Sequence, residues 1–182
     1  MSQKIVVAYA TKHGSTHEVA AAIAARLRAE GLEVELLPAH AVDDLQEYAG
    51  VVLGGSLYMG RWHEDAVALL RRHRTQLAAL PVAVFALGPL TLDAQDVAGS
   101  LGQLTKAVAK AAPDVDPYAV GIFGGVIDPK QLRFPFNRMR ASDARDWDAV
   151  DAFAVECARA YDFGKPAEKP RDPRTELQQT HR

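Results

Sequence analysis

Residues 5–27, IVVAYATKHGSTHEVAAAIAARL, change character twice. Ile5 to Ala8 form a short continuous apolar run, the pattern of a strand covered on both faces. From Val19 the apolar positions recur at three- and four-residue steps, so that Val19, Ala20, Ile23, Ala24 and Leu27 share one helical face. Between strand and helix lie Thr11, Lys12, His13, Gly14, Ser15 and Thr16. The first N–H groups of a helix lack backbone partners, and the helix dipole favours negative charge there. Three hydroxyls, with a glycine that allows close backbone approach, make this loop a candidate anion cradle. A purely local reading stays open: Ser15 followed by Glu18 fits the S-x-x-E capping box, which satisfies a helix start with no ligand. Neither G-x-G-x-x-G nor the Walker pattern is present, so a monophosphate suits the loop better than a nucleotide triphosphate.

Further apolar runs at 51–53, 82–87 and 120–123 have the same two-sided character, and 33–37 alternates as a weaker strand. Helical faces are marked by Val67, Leu70, Leu77 and Leu80, by Leu101, Leu104 and Val108, and by Trp147, Val150, Phe153, Ala154, Cys157, Ala158 and Tyr161. Strand and helix alternate almost throughout. Parallel strands need long, right-handed crossovers, so the alternation predicts an α/β protein: a three-layer α/β/α sandwich around a five-stranded parallel sheet. The domain is expected over 1–163. Residues 164–182, GKPAEKPRDPRTELQQTHR, carry three prolines, many charges and almost no apolar groups, and read as a flexible C-terminal tail.

Composition narrows the function classes. A chain of 182 residues with 48% hydrophobic and 24% charged positions can bury a core without disulfide or metal staples. A net charge of -2 supplies no basic field for nucleic acid or an anionic membrane. Cys157 is the single cysteine, and neither a signal peptide nor a long apolar span is visible; a cytoplasmic protein without a transmembrane segment is expected. A homo-oligomer is compatible with all of this.

In a doubly wound sheet the ligand lies beyond the carboxyl ends of the strands. The loop after strand three, GGSLYMGRWHEDA (54–66), brings Ser56, Leu57, Tyr58, Met59, Gly60, Trp62 and His63 to that edge. Aromatic faces and exposed peptide groups are natural walls for a flat, apolar ligand, such as the flavin that the resemblance described below implies. Trp62 has the alternative of covering a helix start. The loop after strand four, Gly88, Pro89 and Leu90, can line the edge of such a ligand but offers it no aromatic partner. Arg133 and Arg138, with Phe134, Phe136 and Asn137, form a cluster suited either to a substrate carboxylate or to packing against the last helix or a second subunit.

The Thr11–Thr16 loop resembles the phosphate loop of flavodoxins, T/S-x-T-G-x-T, with His13 standing where that pattern has a hydroxyl. The resemblance implies a flavodoxin-like sheet of order 2-1-3-4-5 and FMN as cofactor. The G-S-x-x-x-G-x-W-H spacing from Gly55 to His63, GGVIDPKQLRFPFNRM (124–139) and DWDAVDAFA (146–154) resemble the menaquinone-dependent protoporphyrinogen oxidases. Two departures stand out: GPLTLDAQDVAGSLGQL (88–104) has no cation until Lys106, and Met139 to Arg145 is short. What the resemblance implies is an FMN-dependent oxidoreductase in which flavin N5 takes a hydride from a reduced small-molecule substrate and electrons pass to a quinone or another acceptor. His63, Arg133 and Arg138 would face that substrate. The competing reading is a flavodoxin-type electron carrier with a redox partner and no substrate of its own, although carriers usually present strongly acidic docking surfaces.

Overall fold

A computed structural model describes residues 4–161. The tail expected at 164–182 lies outside the described residues. Strands β1 (Lys4–Ala10), β2 (Glu33–Pro38), β3 (Gly50–Tyr58), β5 (Val82–Leu87) and β6 (Ala119–Phe123) form a parallel sheet of order β2-β1-β3-β5-β6, the expected 2-1-3-4-5 succession. A short strand, β4 (Arg61–Trp62), folds back antiparallel on the end of β3. Helices α1 (Ser15–Ala29), α2 (Glu64–Arg72), α3 (Arg74–Leu77), α4 (Ala94–Ala111) and α5 (Trp147–Arg159) complete the three layers.

Alternation along each strand divides its side chains between two cores. Val6, Ala8, Val51, Leu53, Val82 and Val84 face α2, α3 and α4, which contribute Leu69, Leu70, Leu77, Leu104 and Val108. Ile5, Val7, Val52, Ala83 and Phe85 face the other side, against Val19, Ile23 and Leu27 of α1 and Phe153, Ala154 and Cys157 of α5. Phe85, Phe123 and Phe153 meet there with ring centroids 5.5 to 6.1 Å apart. Gly54 leaves room for the Phe85 ring, since a Cβ there would lie 1.9 Å from its Cζ.

Three local expectations change. Strand three does not end at Leu53 but runs to Tyr58, because pairing with β5 persists to Ser56 and the β4 hairpin then takes over. The second helical face is interrupted at His73, whose buried ring turns toward the 42–44 connection: Nδ1 lies 3.0 Å from Gln76 Oε1 and Nε2 3.2 Å from the Val42 carbonyl. Leu101 and Trp147 point outward, at 40% and 44% exposure, rather than into the core.

The register sets the ends of β1, β3, β5 and β6 side by side, with Ala10 opposite Gly55, Ser56 opposite Leu87 and Leu87 opposite Phe123. Their outgoing connections therefore share one edge. One of them is a strap between β6 and α5, in which β7 (Val126–Ile127) and β8 (Ser142–Asp143) pair antiparallel around two short 3-10 turns at 129–131 and 136–138.

Candidate functional site

The head of α1 is built from the backbone. Gly14 adopts φ 90°, a left-handed conformation that suits glycine, and stands as the N-cap. Its N–H donates to Thr11 Oγ1 at 2.9 Å, and its carbonyl accepts from the Glu18 N–H at 3.2 Å. Ser15 is already the first helical residue and no side chain caps the helix, so the capping-box alternative is not realised. The Glu18 carboxylate pairs instead with Arg145.

Thr16 is the decisive residue. Its side chain is fully buried, yet its hydroxyl has no hydrogen-bond partner within the protein. Leaving a buried hydroxyl unpaired costs about 1–3 kcal/mol, which folded proteins seldom tolerate without a reason. It sits in the first turn of α1, whose opening amides lack backbone partners. Ser15 is half-buried next to it, while Lys12 and His13 are exposed on the rim.

The second wall is a strand end rather than a loop. Ser56 and Leu57 are half-buried on β3, and Tyr58 is 56% exposed. Met59 (φ 48°) and Gly60 (φ 74°) then make the tight turn into β4, a pair of left-handed conformations that matches the twist of a two-residue hairpin. Trp62 does not face this edge. It is 4% exposed, belongs to the core under α2, and its indole N–H donates to the Gly55 carbonyl at 3.1 Å. In the free protein Trp62 takes its alternative place beneath α2, and Tyr58 is the exposed aromatic ring of this wall. His63 caps α2: its Nδ1 accepts the Asp65 N–H at 3.2 Å, which leaves one ring nitrogen for any other partner.

Gly88, Pro89 and Leu90 form the third wall. Gly88 N–H donates to the Phe123 carbonyl at 3.2 Å, Pro89 is buried, and Leu90 is 53% exposed. The Pro89 carbonyl accepts from Gly125 N–H at 2.9 Å, and the Gly125 carbonyl accepts from Ala144 N–H at 3.0 Å. Peptide groups thus fasten the strap to the third wall. Asp93 caps α4 by accepting the Asp96 N–H at 2.9 Å, and the Thr91 hydroxyl lies within hydrogen-bonding distance of both carboxylates.

On the strap, Phe134 is 69% exposed and Phe136 45%. The Arg138 guanidinium lies over the Phe134 ring, 5.1 Å from its centroid, and Arg133 is exposed nearby with its carbonyl accepting from the Phe136 and Asn137 amides. The strap packs back on itself through these turns and does not bury its phenylalanines against α5.

Arg145 was not singled out from the sequence. Its side chain is only 10% exposed; it holds Asp143 with two parallel hydrogen bonds, 2.9 Å from Nε and 2.6 Å from Nη2, and lies 4.9 Å over the Trp147 ring. These bonds, with that to Glu18, raise the guanidinium's pKa, and Arg145 in turn holds the Asp143 carboxyl below its usual range. The D-x-R spacing of 143–145 is the sequence signal that marks it. Among the described residues no cluster of His, Cys, Asp and Glu could hold a metal ion, and no helix is long and apolar enough to cross a membrane.

The Flavodoxin domain family matches residues 6–139, and the chain belongs to that family. Its fold is that of the oxidised flavodoxin 2 of Bacillus cereus, at 23% identity and a TM-score of 0.58, covering 88% of this chain and 99% of that one. A variant of the Pseudomonas aeruginosa flavodoxin matches at 22% identity and a TM-score of 0.56, over 87% and 98% of the two chains. Among curated proteins, the protoporphyrinogen IX dehydrogenase [quinone] of Escherichia coli strain K12 is 27% identical over 86 residues, 46% of this chain and 48% of that one. The match therefore spans about half the length of that relative. FMN is the cofactor that the family implies, and the unpartnered Thr16 hydroxyl beside the free amides of α1 fits its phosphate.

Proposed function

We propose that this protein is an FMN-dependent oxidoreductase with an organic substrate of its own, delivering electrons to a quinone or another acceptor. The observation that carries this reading is the strap, which sets two exposed phenylalanines and two exposed arginines on the edge shared by the three walls. Such a surface matches a planar, apolar substrate bearing carboxylates, because aromatic faces take the plane and guanidinium forks take the acids. The curated relative named protoporphyrinogen IX dehydrogenase [quinone] supports the same substrate class.

When bound, FMN supplies the redox chemistry by accepting a hydride at N5. The chain supplies holding and access. Thr11, Lys12, His13, Gly14, Ser15 and Thr16 surround the phosphate, with Thr16 Oγ1 and the α1 amides as the donors. Ser56, Leu57, Tyr58, Met59 and Gly60 wall one side of the ring, with Tyr58 the aromatic face. Gly88, Pro89 and Leu90 present peptide groups to the pyrimidine edge. Arg133 and Arg138 engage substrate carboxylates, and the uncommitted nitrogen of His63 borders the same opening.

The test uses full-length protein loaded with FMN, kept anaerobic and given protoporphyrinogen IX with a small quinone. Turnover is expected, and Arg133→Ala should lower it while FMN affinity stays unchanged. Absence of turnover, together with rapid electron exchange with a flavodoxin reductase, would make the protein a carrier and sink the proposal.

A further inference from the structure

We infer that Arg145 is a positioning residue of the phosphate niche, where its charge partly offsets the Glu18 carboxylate that would otherwise oppose a bound phosphate. The inference rests on the FMN reading of the site. Glu18 lies three residues beyond Ser15, on the same face of α1. Helical side chains lean toward the N-terminus, so Glu18 belongs to the turn that opens α1, although its carboxylate makes no cap bond there. In the free protein that carboxylate suits the helix dipole. Once a phosphate dianion arrives, the same carboxylate is a like charge within one turn of it.

Arg145 answers this from the segment that leads into α5, the helix packed beside α1. It reaches Glu18 across 127 positions of sequence from the strap, and Asp143 and the Trp147 ring hold its guanidinium in place. Asp143 absorbs part of its charge, but the two-bond geometry and the aromatic support fix its direction. Arg145 is 10% exposed while Glu18 is 60% exposed, so the guanidinium is held from the buried side and solvent still screens part of the pair. The exposed cation of the loop, Lys12, has no such fixed relation to Glu18. Phosphate capture and attachment of the strap are therefore linked through a single side chain.

The test compares FMN with riboflavin, which lacks the phosphate. Both affinities are measured by flavin fluorescence quenching on full-length wild type, Arg145→Gln, Glu18→Gln and the double variant. Arg145→Gln is expected to weaken FMN about three- to fivefold and leave riboflavin unchanged. Glu18→Gln alone should hold FMN at least as tightly as wild type. Adding it to Arg145→Gln should restore most of the lost FMN affinity, because the opposing charge has gone. Arg145→Lys, which keeps the charge and guards against misfolding, should fall closer to wild type than Arg145→Gln. Equal loss of FMN and riboflavin in Arg145→Gln, or no recovery in the double variant, overturns the inference and leaves the cofactor assignment standing. A wild-type protein that binds neither flavin overturns both.

Discussion

Trp62 donates its indole N–H to the Gly55 carbonyl at 3.1 Å, tying the return strand of the hairpin to the strand it left. That bond is buried beneath α2, and a Cβ on Gly55 would sit 2.8 Å from the donor nitrogen. Trp62→Phe should cost about 1–3 kcal/mol through the unpaired carbonyl, read as a lower midpoint in urea, with FMN affinity little changed. Loss of FMN affinity at unchanged stability would return Trp62 to the flavin site.

Thr16→Val separates a ligand donor from a structural hydroxyl. The substitution keeps the shape and removes an oxygen with no partner in the free protein. Stability without FMN should hold or rise, and FMN binding should weaken by about 1.5–3 kcal/mol, the range for a hydrogen bond to a charged group. Isothermal titration alongside thermal melting distinguishes the two effects. A fall in stability with FMN affinity intact would make the residue structural.

The strap should loosen in acid. Asp143 is held below its ordinary value of 3.8, first by its side-chain hydrogen bonds to Arg145. A carboxyl depressed on folding contributes stability that is fully present above its unfolded value and is lost as pH falls through the lower folded value. Amide exchange across 126–143 should therefore accelerate below about pH 4, and Asp143→Asn should abolish that pH dependence. Unchanged protection down to global unfolding would contradict it.

Cys157 is buried between α5 and the sheet, and burial pushes its thiol up to about 12. The thiolate is the reactive form, so alkylation at pH 8 should be negligible in the native protein and track unfolding in urea. Prompt labelling of the folded chain would show that the α5 layer opens.

Phe85→Ala removes the ring that joins Phe123 and Phe153 under α5 and should cost about 3–5 kcal/mol. Denaturant melts monitored by circular dichroism measure it, and a loss below about 1 kcal/mol would mean that the neighbouring rings close the gap.

The layers were legible because buried parallel strands and one-sided helices leave continuous and 3.6-residue patterns, and these placed β1, β5, α1 and α5 well. Local periodicity failed where distant contacts decide. His73 breaks a helical pattern to reach the Val42 carbonyl, and β3 runs on through Ser56 to Tyr58 because β5 and then β4 supply partners. The crowd of hydroxyls around the start of α1 was visible in the sequence. Its one buried, unpaired hydroxyl was not, since pairing is a property of three dimensions. Trp62 illustrates the limit on aromatic residues in loops: the same composition serves a ring wall or a core anchor, and only the hairpin's direction decides. Arg145 escaped notice because Glu18 lies 127 positions away.

The strap meets the third wall through Gly125 N–H and the Pro89 carbonyl, and closes on itself through Ala144 N–H and the Gly125 carbonyl. Those fastenings need glycine at 124, where a Cβ would lie 1.9 Å from the Ala144 carbonyl oxygen, but involve no rim side chain. Rim positions such as Arg133, Phe134, Phe136 and Arg138 are exposed, so exchanging them should leave the latch beneath intact.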